Sequence, residues 1–148
     1  MNKLEFICQN CLSGIRFNNK KQIKNRNHCA KCLYSRHLDL NRAGDRLAKC
    51  KGLMKPIGLC FKKQKPNKYR PGAQKGELML IHKCEKCNKI SINRIAVDDD
   101  ESKLIKILEN ARDLNQETIQ IFKKQGIQPI QNSDEKEVLE QLFGKTNV

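Results

Sequence analysis

The sequence predicts a small α+β protein in two parts, a cysteine-rich piece of short antiparallel strands followed by a helical extension. Three observations carry that reading. All eight cysteines fall within the first 87 residues. Apolar residues occur in short, strand-like stretches up to about residue 97 and then recur at helical spacing. The charge changes sign at the same place: residues 1–97 hold 23 basic and 5 acidic residues, and residues 98–148 hold 7 and 11. The expected division is a domain over 1–100 and a helical extension over 101–148.

The chain has 148 residues, of which 38% are hydrophobic and 5% aromatic, with no Trp. Such a chain buries a thin core, and thin cores need cross-links or metal. The segment Met1–Cys8 lacks the apolar stretch of an export signal. No run approaches the roughly 18 apolar residues of a membrane span. A cytoplasmic location is therefore expected, with no membrane partner. In that reducing setting, closely paired cysteines mean metal more often than disulfide.

Within the first part, Lys3–Ile7, Pro56–Lys62 and Glu77–Lys83 read as strands, the clearest being Glu77-Leu78-Met79-Leu80-Ile81-His82. Gln64–Gly76, with Pro66, Pro71, Gly72 and Gly76, reads as a solvated hairpin tip. Asp45–Leu53 is expected to form a short helix, entered at Gly44-Asp45 and ended before Pro56. Asp98-Asp99-Asp100-Glu101 places negative charge where a helix dipole favours it. One helix is expected from there through about Lys124, on Leu104, Ile105, Leu108, Ala111, Leu114 and Ile119, with Gly126 and Pro129 ending it. A second is expected over about Asp134–Phe143, capped by Ser133.

Three Cys-x-x-Cys knuckles stand at Cys8/Cys11, Cys29/Cys32 and Cys84/Cys87. Two intervening residues let a tight turn aim both sulfurs at one ion, while backbone N–H groups donate to the thiolates. Cys8, Cys11, Cys29 and Cys32 follow the C-x2-C-x17-C-x2-C spacing of a zinc ribbon and form the first expected four-thiolate site. Cys84 and Cys87 anchor a second site, with Cys50 as third ligand. Asn88, just after the knuckle, is expected at positive φ. The fourth ligand is either Cys60 or His82, which two residues from Cys84 on a strand faces the same side. Whichever is not a ligand has an ordinary role, Cys60 as a small buried hydrophobe or His82 as a supporting hydrogen-bond donor. Two zinc ions are the expected cofactors. A thiol-redox role is disfavoured, because three such pairs occur with no βαβ pattern around them.

The stretch Arg26-Asn27-His28-Cys29-Ala30-Lys31-Cys32-Leu33-Tyr34-Ser35-Arg36-His37-Leu38-Asp39 resembles the RNHCP domain family of bacterial proteins. The likeness continues through Gly44-Asp45-Arg46, Cys50–Ile57, His82–Cys87 and Asn93–Asp99, and covers about residues 6–100. Ala30 stands where the family's motif has Pro. The resemblance implies a zinc-ribbon-like fold. It also implies that Cys50, His82, Cys84 and Cys87 belong to the pattern whereas Cys60 does not, which favours His82 as the fourth ligand.

Residues 1–97 carry a formal +18, which two four-thiolate zinc sites would lower to +14. That excess favours a polyanion as partner. The candidate phosphate contacts are Arg26, Arg36, Arg42, Arg46 and Arg94, since guanidinium forks suit phosphate. Lys62, Lys63, Lys65, Lys68 and Arg70 form a basic finger in which Tyr69 is placed to stack on an unpaired base. His28, Asp39 and Asp45 are expected to be structural, His28 by donating to a thiolate or carbonyl; for His37 that donor role is one of two readings left open. The expected function is a zinc-binding, non-catalytic RNA-binding protein associated with the ribosome or translation. The alternatives are a zinc enzyme with an open second site, a DNA-binding protein, or an adapter whose 101–148 helices dock a protein.

Overall fold

The computed structural model describes residues 4–16, 28–41, 45, 47–62, 76–96, 98–111, 114–128, 130 and 134–143. Strands β1 (Leu4–Ile7) and β2 (Gly14–Arg16) form an antiparallel hairpin whose turn is the first knuckle. A four-stranded antiparallel sheet follows, in the order β3 (Ser35–Arg36), β4 (Leu53–Phe61), β5 (Leu78–Cys84) and β6 (Ile90–Arg94). Helices α1 (Glu101–Asn110), α2 (Gln116–Lys124) and α3 (Glu135–Phe143) complete the described elements.

The apolar run that marks β5 in the sequence reports burial on both faces. Leu78 and Leu80 join Leu59, Leu33, Leu104 of α1 and Val138 of α3 on one face. Met79 and Ile81 join Cys60, Ile90 and Phe122 of α2 on the other. The helical segment after residue 100 thus docks on the ribbon's own sheet. Leu104, Phe122 and Val138 are fully buried there, each worth roughly 1.5–3 kcal/mol of removed apolar surface.

The single helix expected from Glu101 to Lys124 is two. α1 ends at Asn110, and the Asn115 side chain restarts the helix by accepting from Thr118 N at 2.8 Å. The break lets the chain pass from one face of the sheet to the other, which a straight helix cannot do. The expected helix over Asp45–Leu53 does not form. Asp45 instead accepts from the backbone N–H groups of Leu40, Asn41 and Leu47 at 2.8–3.0 Å. Ala48 N–H goes to Leu38 O, and Lys51 N–H to His37 O. These long-range bonds use the donors that a helix would need. Of the expected hairpin tip only Gly76 is described, and the Ser133 cap lies outside the described residues.

Candidate metal centres

All three knuckles share one backbone design. The N–H four residues after the first cysteine returns to that cysteine's carbonyl: Leu12 to Cys8 at 2.9 Å, Leu33 to Cys29 at 3.0 Å and Asn88 to Cys84 at 2.9 Å. The cysteine's own N–H closes the turn on Ser13, Tyr34 or Lys89 O, at 2.8–2.9 Å. The return demands left-handed backbone at the fourth residue, where φ is 63° for Leu12, 66° for Leu33 and 67° for Asn88. The expectation for Asn88 is met, and the two leucines adopt the same conformation without Asn's tolerance of it. Asn10 N–H and Lys31 N–H point at the sulfurs of Cys8 and Cys29, at 3.4 and 3.3 Å, so the turns supply the expected donors to thiolate.

In the first site Cys8, Cys11, Cys29 and Cys32 converge with all ligand atoms within 4.8 Å of one another. Cys8 Sγ lies 3.5 Å from Cys32 Sγ and Cys11 Sγ 3.6 Å from Cys29 Sγ. Four sulfurs at ~2.3 Å from a tetrahedral zinc sit about 3.8 Å apart, whereas a disulfide needs about 2.05 Å. All eight cysteines are free, and the spacing fits zinc. Without metal the thiols are unequal. A hydrogen bond from the Ser13 side chain holds Cys11 down at about 6, and burial pushes Cys29 up to about 12. Metal binding would deprotonate both.

The second site is His37, Cys50, Cys84 and Cys87, again within 4.8 Å of one another. Cys50 Sγ lies 3.6 Å from Cys84 Sγ, and Cys87 Sγ 3.3 Å from His37 Nδ1. Burial disfavours the Cys84 thiolate, but hydrogen bonds from the backbone N–H groups of Cys87 and Lys86 and from the Cys50 and Cys87 side chains together outweigh it and lower the thiol's pKa. The fourth ligand is therefore neither residue expected. His82 shares its face with Cys84, as strand parity requires. But two residues of strand span about 6.6 Å, and its ring is committed elsewhere. Nε2 lies 2.7 Å from Leu33 O, Nδ1 lies 2.8 Å from Asn93 Nδ2, and the side chain is wholly buried. Burial holds its pKa down at about 3. Cys60 pairs with Met79 in the cluster against α2, and burial alone raises it to about 11.

His37 was not among the expected ligands. It reaches the site because β3 and β4 continue past their ends, with His37 N–H on Gly52 O and Lys51 N–H on His37 O. This brings His37 beside Cys50 across a loop with no knuckle spacing to betray it. His28 takes the structural part expected of it, paired with buried Asp99 at 2.8 Å.

Among the candidate phosphate contacts, Arg36 is half-buried and reaches Lys51 O at 3.4 Å. Lys62 is exposed. Arg94 is exposed but paired with Glu77 at 3.1 Å. Arg26, Arg42, Arg46, Lys63, Lys65, Lys68, Tyr69 and Arg70 lie outside the described residues. The structure adds a set that sequence reasoning passed over: Lys31, Lys49, Lys51, Lys86 and Lys89 are exposed on or beside the knuckles.

The family model of the RNHCP domain matches residues 3–105. The chain belongs to the RNHCP domain family. No curated protein and no solved structure matches it. The RNHCP match runs from β1 into α1 and so includes both four-ligand clusters, which make this a zinc-binding protein of zinc-ribbon-like fold. Among the described residues no helix is long and apolar enough to cross a membrane.

Proposed function

We propose that this RNHCP chain is a non-catalytic, zinc-stabilised RNA-binding protein that works on the ribosome. The observation that carries the reading is the charge: 23 basic against 5 acidic residues in 1–97, with lysines exposed around both metal clusters. Such a surface neutralises phosphates, and small basic zinc proteins are common in ribosomes; that last step rests on analogy. A non-catalytic role is supported by the second cluster, where four protein ligand atoms leave no coordination position for a reacting water.

The test is native mass spectrometry of the purified chain together with sequencing of RNA that copurifies. Two zinc ions per chain and enrichment of ribosomal RNA are expected. Two zinc ions without RNA would keep the fold and remove the function. Competition with DNA separates the nucleic acids, since phosphate contacts alone do not. Binding should weaken linearly in log–log salt titration, by about 0.9 per neutralised phosphate on a duplex.

A further inference from the structure

A cavity of about 190 Å³ opens between β3, β4 and β6, beside the second metal cluster. It is smaller than the roughly 300–1,000 Å³ of a site for a drug-sized molecule, so it takes one ring system rather than a whole cofactor. Met54 and Leu38 give it apolar surface, and Ser91 and Asn93 give it a polar edge. Arg36 and Lys89 add positive charge, against the single carboxylate of Asp39. The His37 ring lines it too, and His37 Nε2 is buried without a hydrogen-bond partner among the described residues.

The polar edge has a fixed orientation. His82 Nε2 sits 2.7 Å from the Leu33 carbonyl, so Nε2 carries the proton and Nδ1 must accept. The group 2.8 Å from Nδ1 is Asn93 Nδ2, which can only donate. Asn93 Nδ2 also reaches Ser91 Oγ at 3.4 Å. Both amide hydrogens are thereby engaged, which leaves Oδ1 as the acceptor of a side chain that lines the cavity. His82, wholly buried, acts as a positioning residue that prevents the amide from flipping. Apolar surface, an amide edge of set polarity and nearby cations are what a splayed-out base on a phosphate backbone requires.

We infer that this cavity seats a single nucleobase, with Asn93 Oδ1 accepting from an amino or imino N–H of its edge and Lys89 and Arg36 facing the attached phosphate. The inference deepens the RNA-binding reading, but a free nucleotide would offer the same chemistry. The test uses the zinc-loaded full chain, labelled with ¹⁵N and titrated with the four ribonucleoside monophosphates, with ribose 5-phosphate as the base-free control. Nucleotides should shift amides of residues 35–41 and 89–93; the control, which keeps the phosphate but lacks the base, should reach at most those beside Arg36 and Lys89 and leave 91–93 unmoved. Ser91→Leu, which fills the cavity, should abolish the shifts, retain two zinc ions and weaken single-stranded RNA by about tenfold. Lys89→Ala, at the rim, should weaken nucleotide binding without closing the cavity, which keeps the test alive if Ser91→Leu fails to fold. Equal shifts from ribose 5-phosphate would overturn the inference, leaving an anion site. RNA affinity untouched by either variant, with no nucleotide shifts, would overturn it while RNA binding stood. Nucleotide shifts without any RNA binding would uphold the seat, assign it to free nucleotides and remove the RNA reading.

Discussion

His28 and Asp99 are 71 residues apart in the chain, yet His28 Nε2 lies 2.8 Å from Asp99 Oδ2 with both side chains buried. Asp99 Oδ2 also accepts from Ala96 N–H at 2.8 Å, and the neighbouring Asp100 N–H reaches Ala30 O at 2.9 Å. The entry of α1 is thus fastened to the second knuckle. Asp99→Ala would leave His28 buried without this acceptor and should cost about 3 kcal/mol, read by urea unfolding in excess zinc. Both zinc ions should remain bound. A loss below about 0.5 kcal/mol, the range of an ordinary surface change, would refute the fastening role.

The two histidines considered for the second metal site should separate cleanly by metal content. His37→Ala removes one of four ligand atoms and should leave one tightly held zinc per chain in native mass spectrometry. His82→Leu should keep two, because His82 bonds Leu33 O and Asn93 rather than the thiolates. The reverse pattern would move the fourth ligand back to His82.

How far the sequence could be read follows from where each ligand comes from. The first site is legible because its four cysteines lie in two knuckles, each of which sets its own geometry locally. The second is legible only for Cys50, Cys84 and Cys87. His37 arrives through the β3–β4 pairing and a loop organised by the Asp45 carboxylate, and neither leaves a periodic trace. Strand parity correctly put His82 and Cys84 on one face; the rise along the strand decides against ligation. The helices were visible from Leu104, Leu108 and Val138. The break at Asn115 was not, because apolar spacing on either side of a short interruption continues in phase by chance.

Gly52 should prove indispensable to the second site. A Cβ there would lie 2.7 Å from Lys86 Cβ and 3.0 Å from Cys84 Sγ, and neither neighbour is free to retreat, one being next to a ligand and the other being one. Gly52→Ala should therefore weaken the second zinc at least tenfold in competition with a chelator and leave the first unchanged. Unaltered affinity at both sites would show that the knuckle yields more easily than its hydrogen bonds suggest.

Acid should destabilise the fold partly through His82. Its ordinary value is 6.5 and burial holds it at about 3. Between those values the unfolded chain carries a proton that the folded chain does not, so stability falls as pH drops through the window. The slope is at most about 1.4 kcal/mol per pH unit. Thiolate protonation adds its own loss by releasing zinc, so the informative quantity is the difference between wild type and His82→Leu in saturating zinc. Wild type should lose stability more steeply from pH 6.5 to 5. Parallel curves for the two proteins would count against a buried neutral His82.

Leu12 and Leu33 occupy equivalent positions with nearly equal φ, 63° and 66°, and substitution by Asn should move stability in opposite directions. Leu12 is 75% exposed, so its side chain contributes little packing while its Cβ suffers the crowding of left-handed backbone, of order 1 kcal/mol. Leu12→Asn should relieve that strain and raise stability by up to about 1 kcal/mol. Leu33 is fully buried in the cluster with Leu80 and Leu104. There the same relief is outweighed by the loss of a core side chain and the burial of an amide, so Leu33→Asn should cost about 3 kcal/mol. Urea unfolding of both variants with zinc in excess decides it. A destabilised Leu12→Asn would mean that the exposed leucine already makes a contact worth more than its strain.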